Sequence, residues 1–104
     1  MPAQRITLPD AKALVEQGAN IADIRDALSF QAGHIRSAKR VDNSNLNEFM
    51  AQADKNQPLI VCCYHGSSSV SAAQFFDGQG YEQVYSLEGG YEMWKLAYPE
   101  LCAE

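Results

Sequence analysis

The run Leu59-Ile60-Val61-Cys62-Cys63, entered through Pro58, constrains the fold of this chain more than any other segment. Side chains alternate between the two faces of a strand, so an uninterrupted apolar run needs cover on both sides. That places it in the middle of a sheet with helices above and below. A Gly/Ser-rich loop follows, then an apolar stripe at helical spacing, Ala72, Ala73 and Phe76, over a helix expected from about residue 69 to 79. Strand, loop, helix in that order is the unit of a parallel sheet.

The remaining chain repeats this alternation without internal repeats or low-complexity segments. Short strands are expected at residues 5–7, 20–24, 38–41 and 83–85. Helices are expected at 9–17, over one turn at 27–31, from an Asn43 or Ser44 cap through Ala53, and over a short final stretch at 91–97 ahead of Pro99. The fold class is α/β: a single domain over residues 1–104 with its core at about 5–98, built on a mainly parallel five-stranded central sheet flanked by helices on both faces. At 104 residues such a domain hides roughly two thirds of its unfolded surface, enough for one layered core.

Charge narrows the partners. The formal net charge is −5, which gives no counterion-release footing on a phosphate backbone, so no nucleic acid is expected. No stretch approaches the ~20 apolar residues of a membrane span, so no membrane is expected either. Met1 to Arg5 lacks the basic-then-apolar run of a signal peptide, and the expected location is cytoplasmic. Three cysteines, an odd count, argue against a disulfide scaffold.

Chemistry concentrates in Cys63-Tyr64-His65-Gly66-Ser67-Ser68-Ser69. The carboxyl edge of a parallel sheet is where ligands bind. A helix start there offers unpaired N–H groups and about half a positive charge. Small residues let successive N–H groups converge on one anion, and Gly66 permits the positive φ that such a loop needs. The anion at the centre is the sulfur of Cys63. A free thiol has a pKa of about 8.5, and a helix end with several donors can hold it roughly one to two pH units lower. A protonated His65 adds to this.

Other readings compete. Cys63 can be a small buried residue closing a strand. Cys62 points to the opposite face and reads as packing. Cys102, in the tail after Pro99, reads as a free, exposed thiol rather than a catalytic partner. Cys62, Cys63, His34 and His65 include metal-ligand types, but no C-x2-C spacing unites them and no metal is expected. A cysteine phosphatase needs C-x5-R, with the arginine gripping phosphoryl oxygens; Ser69 stands at that position.

Three segments together resemble the rhodanese family, in the single-domain form of thiosulfate sulfurtransferases of the GlpE type. Ala22-Asp23-Ile24-Arg25-Asp26 with Phe30-Gln31-Ala32-Gly33-His34-Ile35 is similar to the family's D-x-R and F-x3-H-I/V pattern. The loop from Cys63 to Ser68 is similar to the GlpE form. Tyr85 to Trp94 resembles a pattern ending G-G-(F/W/Y)-x-x-W, here Gly89-Gly90-Tyr91-Glu92-Met93-Trp94. The resemblance runs from about Ile6 to Pro99. Arg36-Ser37-Ala38 stands where the family usually has Pro-Gly-Ala, a change in a surface turn. Tyr64 and Ser68 stand where many members carry arginine, which leaves substrate charge to backbone donors, the helix end and His65. The mercaptopyruvate branch has a different loop, so the resemblance implies thiosulfate as donor.

What it implies further is a two-step sulfur relay with no cofactor. Cys63 takes the outer sulfur of thiosulfate as a persulfide, sulfite leaves, and a small thiophile such as cyanide, or a thiol or dithiol acceptor such as thioredoxin, takes the sulfur on. Asp23 and Arg25 are expected to form a structural ion pair bracing the loop. His34 is expected to anchor a turn, Gly89 and Gly90 to bring a loop close to the site, Tyr64 to line its mouth, and Tyr91 and Trp94 to be core or pocket wall. The rival function is a persulfide-carrying or redox-sensing module serving one protein partner. A catalytically dead scaffold is disfavoured by the presence of Cys63.

The loop reading separates side-chain charge from backbone geometry. His65→Gln removes about 1–2 kcal/mol of stabilisation and is expected to slow turnover roughly ten-fold. Gly66→Val is expected to do more harm, because a β-branched residue resists positive φ. The kcat/KM and thiolate pKa of both variants test this. Loss of all activity in His65→Gln, with Gly66→Val unimpaired, would mean that side-chain charge holds the anion.

Overall fold

The computed structural model describes residues 4–63 and 68–103, with only the backbone placed for Ser68 and Ser69. Its main sheet is built from β1 (Gln4–Ile6), β2 (Asn20–Asp23), β4 (Lys39–Arg40), β5 (Leu59–Cys62) and β6 (Val84–Leu87). The order is β1-β6-β5-β2-β4 and every pairing is parallel, so β5 lies at the centre as its sequence requires. A second, two-stranded antiparallel sheet joins β3 (His34–Ile35) to β7 (Cys102–Ala103).

The helices are α1 (Leu8–Glu16), α2 (Ala27–Ala32), α3 (Leu46–Gln52), α4 (Ser68–Asp77) and α5 (Gly90–Ala97). They divide the core into two clusters, one on each face of the main sheet. Ile21, Ile60, Cys62 and Leu87 pack with Ala11 of α1 and Tyr91 and Trp94 of α5. Ala22, Leu59, Val61 and Val84 pack with Phe49 of α3 and Ala73 and Phe76 of α4. Successive residues of β5 thus enter opposite cores, and all four are buried. The five-stranded parallel sheet with helices on both faces is the expected architecture. Among the described residues no helix is long and apolar enough to cross a membrane.

Three local expectations change. Helix α3 begins later than Asn43 or Ser44 and has no side-chain cap. The carboxylate of Asp42 accepts from the N–H groups of Ser44 and Asn45 instead, so the segment closes as a turn before the helix starts. Hydrogen bonds from Ser44 and Arg40 hold the Asp42 carboxyl down at a pKa of about 2. Strand β6 runs on to Leu87, beyond the stretch its local pattern marks, because it pairs on both sides. Cys102 is no exposed tail residue: it pairs with Ile35 and is half-buried against the first core cluster.

The turn from β3 to β4 carries strain that can be removed. Ala38 N–H donates to the Ile35 carbonyl at 2.9 Å, and between them Ser37 has φ +76°. A left-handed residue at the third turn position is the glycine place of a type II turn, and a side chain there costs roughly 1–2 kcal/mol. Ser37→Gly is expected to raise unfolding free energy by about 0.5–1 kcal/mol, the gain being reduced by glycine's greater freedom when unfolded. Arg36→Pro should instead destabilise, because the Arg36 N–H donates to Leu101 at 2.7 Å. Urea denaturation of both variants checks the two signs.

Candidate active site

The site lies at the carboxyl edge of the main sheet. Strands β2 and β5 end side by side, with Asp23 in register with Cys62 and the Ile24 N–H donating to the Cys62 carbonyl at 2.9 Å. Cys63 is the next residue, only 4% exposed, and the described chain resumes in α4 at Ser68. Tyr64, His65, Gly66 and Ser67 lie outside the described residues; Ser68 and Ser69 form the first turn of α4.

A second segment reaches this point from β6. Gly89 (φ +76°) and Gly90 (φ +62°) turn the chain into α5. A Cβ on Gly89 would also stand 2.5 Å from Met93 Cγ, so conformation and space both favour glycine. The first N–H groups of a helix lack partners within it. That of Tyr91 donates to the Cys63 carbonyl at 2.7 Å. The same carbonyl lies 3.6 Å from the Cys62 thiol, which donates to it from the first core cluster.

Beneath Cys62 is a buried charge pair. Arg25 Nε lies 3.0 and 3.1 Å from the two oxygens of Asp23, and its Nη2 donates to Oδ2 at 2.7 Å. The Arg25 backbone N–H adds a bond to Oδ1 at 3.0 Å, and Nη2 reaches the Gly33 carbonyl at 2.7 Å. Burial opposes the guanidinium charge, but hydrogen bonding and attraction to Asp23 outweigh it and raise the Arg25 pKa. The expected ion pair between these two residues is therefore present, fork to fork. The Tyr91 ring covers the guanidinium, its centroid 4.2 Å from Arg25 Cζ. Burial first, then interaction with the Cys102 thiol, raise the phenol's pKa. A Cβ on Gly33 would stand 2.7 Å from this hydroxyl.

The three thiols differ sharply in setting. Burial pushes the Cys62 thiol far above its ordinary range, so it remains protonated, as a donor must. Cys102 donates to the Tyr98 carbonyl at 3.6 Å within the second sheet. Cys63 alone stands between a strand end and a helix start at the sheet's carboxyl edge. His34 sits at the corner from α2 to β3, with Nδ1 2.8 Å from the Phe30 carbonyl and its ring stacked on Phe30 at 3.8 Å. A carbonyl only accepts, so Nδ1 carries the proton. Trp94 is fully buried in the first cluster.

Sequence reasoning did not find the links made by Tyr91, Gly33 and Cys102. Tyr91 reads as core, and it is buried, but its contacts join segments more than 60 residues apart. No periodicity encodes that. Gly33 enters the sequence reading only as a member of the Phe30–Ile35 segment, with no role of its own.

This arrangement, a cysteine closing the central strand of a five-stranded parallel sheet beside a buried Asp–Arg pair, is the architecture of a rhodanese-like domain. A profile of the Rhodanese-like domain family matches residues 7–97, and the chain belongs to that family. It is 48% identical over 97 residues to the thiosulfate sulfurtransferase GlpE of Pseudomonas savastanoi pv. phaseolicola, covering 93% of this chain and 92% of the relative. It is 50% identical over 96 residues to GlpE of Pseudomonas aeruginosa strain LESB58, covering 92% and 87%. Among solved structures, reduced Bacillus anthracis CoADR-RHD superposes with a TM-score of 0.81 at 19% identity. That match covers 98% of this chain but 18% of the longer one, and it shows the fold alone.

The buried Cys62 thiol makes stability fall in alkali. An unfolded cysteine ionises near pH 8.5, whereas folded Cys62 resists ionisation far above that. The stabilising contribution is therefore fully present below about pH 8.5 and is lost as pH rises, by roughly 1.4 kcal/mol per pH unit. Cys62→Val should remove most of this slope between about pH 8.5 and 9.5, below the midpoint of tyrosine ionisation near pH 10. Urea titrations across that window test it; an equal slope in Cys62→Val assigns the alkaline loss elsewhere.

Proposed function

We propose that this chain is a thiosulfate sulfurtransferase with Cys63 as its nucleophile. One observation carries the reading: of three cysteines, only Cys63 lies just past the end of the central strand at the carboxyl edge, ahead of a helix start. The names of the relatives supply the substrate class. Ser69 at the place of the phosphatase arginine argues against phosphoryl transfer.

The chemistry balances without a cofactor. The Cys63 thiolate attacks the outer sulfur of thiosulfate, an S–S bond forms to the cysteine, and the S–S bond of thiosulfate breaks. Sulfite departs with the electron pair as a stable dianion, so no general acid is needed. The persulfide left on Cys63 keeps one negative charge, which the N–H groups of Tyr64 to Ser69 and the start of α4 would hold by oxyanion-hole logic. Cyanide then takes the outer sulfur as thiocyanate and returns the thiolate. A thiol or dithiol protein such as thioredoxin is the acceptor we expect in its place in the cell. Asp23 and Arg25 brace the strand ends, and Gly89 and Gly90 bring α5 against Cys63.

Incubation with thiosulfate alone should add about one sulfur atom to Cys63, roughly 32 Da, removable by cyanide. Cys63→Ser should abolish both this adduct and thiocyanate formation. Folded Cys62→Ser and Cys102→Ser should keep most of the activity. Near-normal turnover by Cys63→Ser, or an adduct on either other cysteine, would overturn the assignment. An adduct that forms but turns over only with a protein acceptor would favour the carrier reading.

A further inference from the structure

We propose that Tyr91 is a positioning residue that sets the ionisation and attack geometry of Cys63 by tying it to the buried Arg25. The proposal deepens the sulfurtransferase reading and rests on its choice of nucleophile.

Tyr91 acts at two points. Its N–H holds the Cys63 carbonyl at 2.7 Å, at the residue where the chain leaves β5. Its ring lies over the Arg25 guanidinium at 4.2 Å. Arg25 is fixed by a fork of bonds to Asp23 and by the Gly33 carbonyl. Asp23 is in register with Cys62, one residue before Cys63. The contacts therefore close a circuit: Cys63 carbonyl, Tyr91 backbone, Tyr91 ring, Arg25, Asp23, and back through the β2–β5 ladder to Cys63.

Such a circuit fixes the plane of the Cys63 peptide. That plane sets where the Cys63 thiol stands relative to the start of α4, whose free N–H groups and positive dipole end favour a sulfur anion. The Gly89-Gly90 turn cannot do this alone, because two glycines leave the entry to α5 with little conformational restraint. The aromatic ring on a rigid cation supplies it. Gly33 belongs to the same device, since a side chain there would displace the Tyr91 hydroxyl.

The test compares two side chains that leave the Tyr91 N–H in place. Tyr91→Phe keeps the ring on Arg25; Tyr91→Leu keeps apolar bulk without a ring face. The readout is the Cys63 thiolate pKa, from absorbance at 240 nm as the difference between each protein and its Cys63→Ser counterpart. This needs no thiosulfate, so it stays informative even if the sulfurtransferase reading fails, and that reading fails separately if the wild type forms no persulfide. Single-turnover persulfide formation is measured alongside. Tyr91→Phe should stay within about two-fold of wild type with an unchanged pKa. Tyr91→Leu should be about ten-fold slower, with its pKa raised by roughly half to one pH unit. Should Tyr91→Leu melt below the assay temperature, Arg25→Lys reads the same contact from the other side, since lysine cannot present a planar fork, and the same loss and pKa rise are expected. A folded Tyr91→Leu or Arg25→Lys matching wild type in pKa and rate overturns the proposal, as does equal loss in Tyr91→Phe and Tyr91→Leu, which would assign the effect to the hydroxyl.

Discussion

Strand β5 has no polar face, and most of the molecule is arranged around that fact. Leu59, Ile60, Val61 and Cys62 are all completely buried. Their backbone groups are satisfied by β2 on one side and β6 on the other. Their side chains need a helical layer above and another below, which α1 with α5 and α3 with α4 provide. Parallel neighbours oblige each connection to cross the sheet, so loops leading into helices collect at the carboxyl edge. Cys63 is the residue at which this central strand runs out. The proposed nucleophile and the most buried strand are thus two consequences of one segment.

The buried ion pair adds a second constraint at the same edge. Removing a carboxylate and a guanidinium from water costs several kcal/mol for each ion, and a pair of this kind is weak evidence for stability. It persists because both charges meet several partners: Arg25 Nε and Nη2 donate to the two Asp23 oxygens, the Arg25 backbone N–H adds a bond to Oδ1, and Nη2 also reaches the Gly33 carbonyl. What such a pair supplies is direction. A planar fork on a planar carboxylate tolerates little rotation, and it ties the exit of β2 to the end of α2. The first core cluster then builds Tyr91 and Cys62 against a rigid polar floor.

What the sequence discloses depends on range. The central strand, its flanking helices and the strand-end cysteine are readable because their signals are local: an apolar run, a three- and four-residue stripe, a Gly/Ser loop. The pairing of His34-Ile35 with Cys102-Ala103 is not readable, since two-residue strands whose partners lie 67 and 69 positions apart carry no periodicity. For the same reason Cys102 looks like a tail residue until its partner is known. Ser37 shows the opposite case. A local conformation that favours glycine is held by a serine, because the Ile35–Ala38 turn and the Arg36–Leu101 bond fix it from both ends. Asp42 displaces the expected helix cap by a local contest between carboxylate and backbone donors that composition alone does not settle.

The distribution of charge follows from these constraints. No lysine or arginine occurs between Cys63 and Trp94, and the chain carries a net −5. Arg25, at the adjoining strand end, is spent on Asp23 and covered by Tyr91. In the proposed reaction a dianion must therefore be received with little help from fixed side-chain cations. Backbone dipoles suit that task in one respect that cations do not. A site rich in positive charge binds thiosulfate and the departing sulfite dianion alike, and tight product binding slows release. In the proposed relay, backbone N–H donors would act at short range and favour the single charge left on the cysteine sulfur in both halves of the reaction. The strand end, the glycine turn and the Tyr91 link then contribute in the same way: each fixes the backbone that would do the binding.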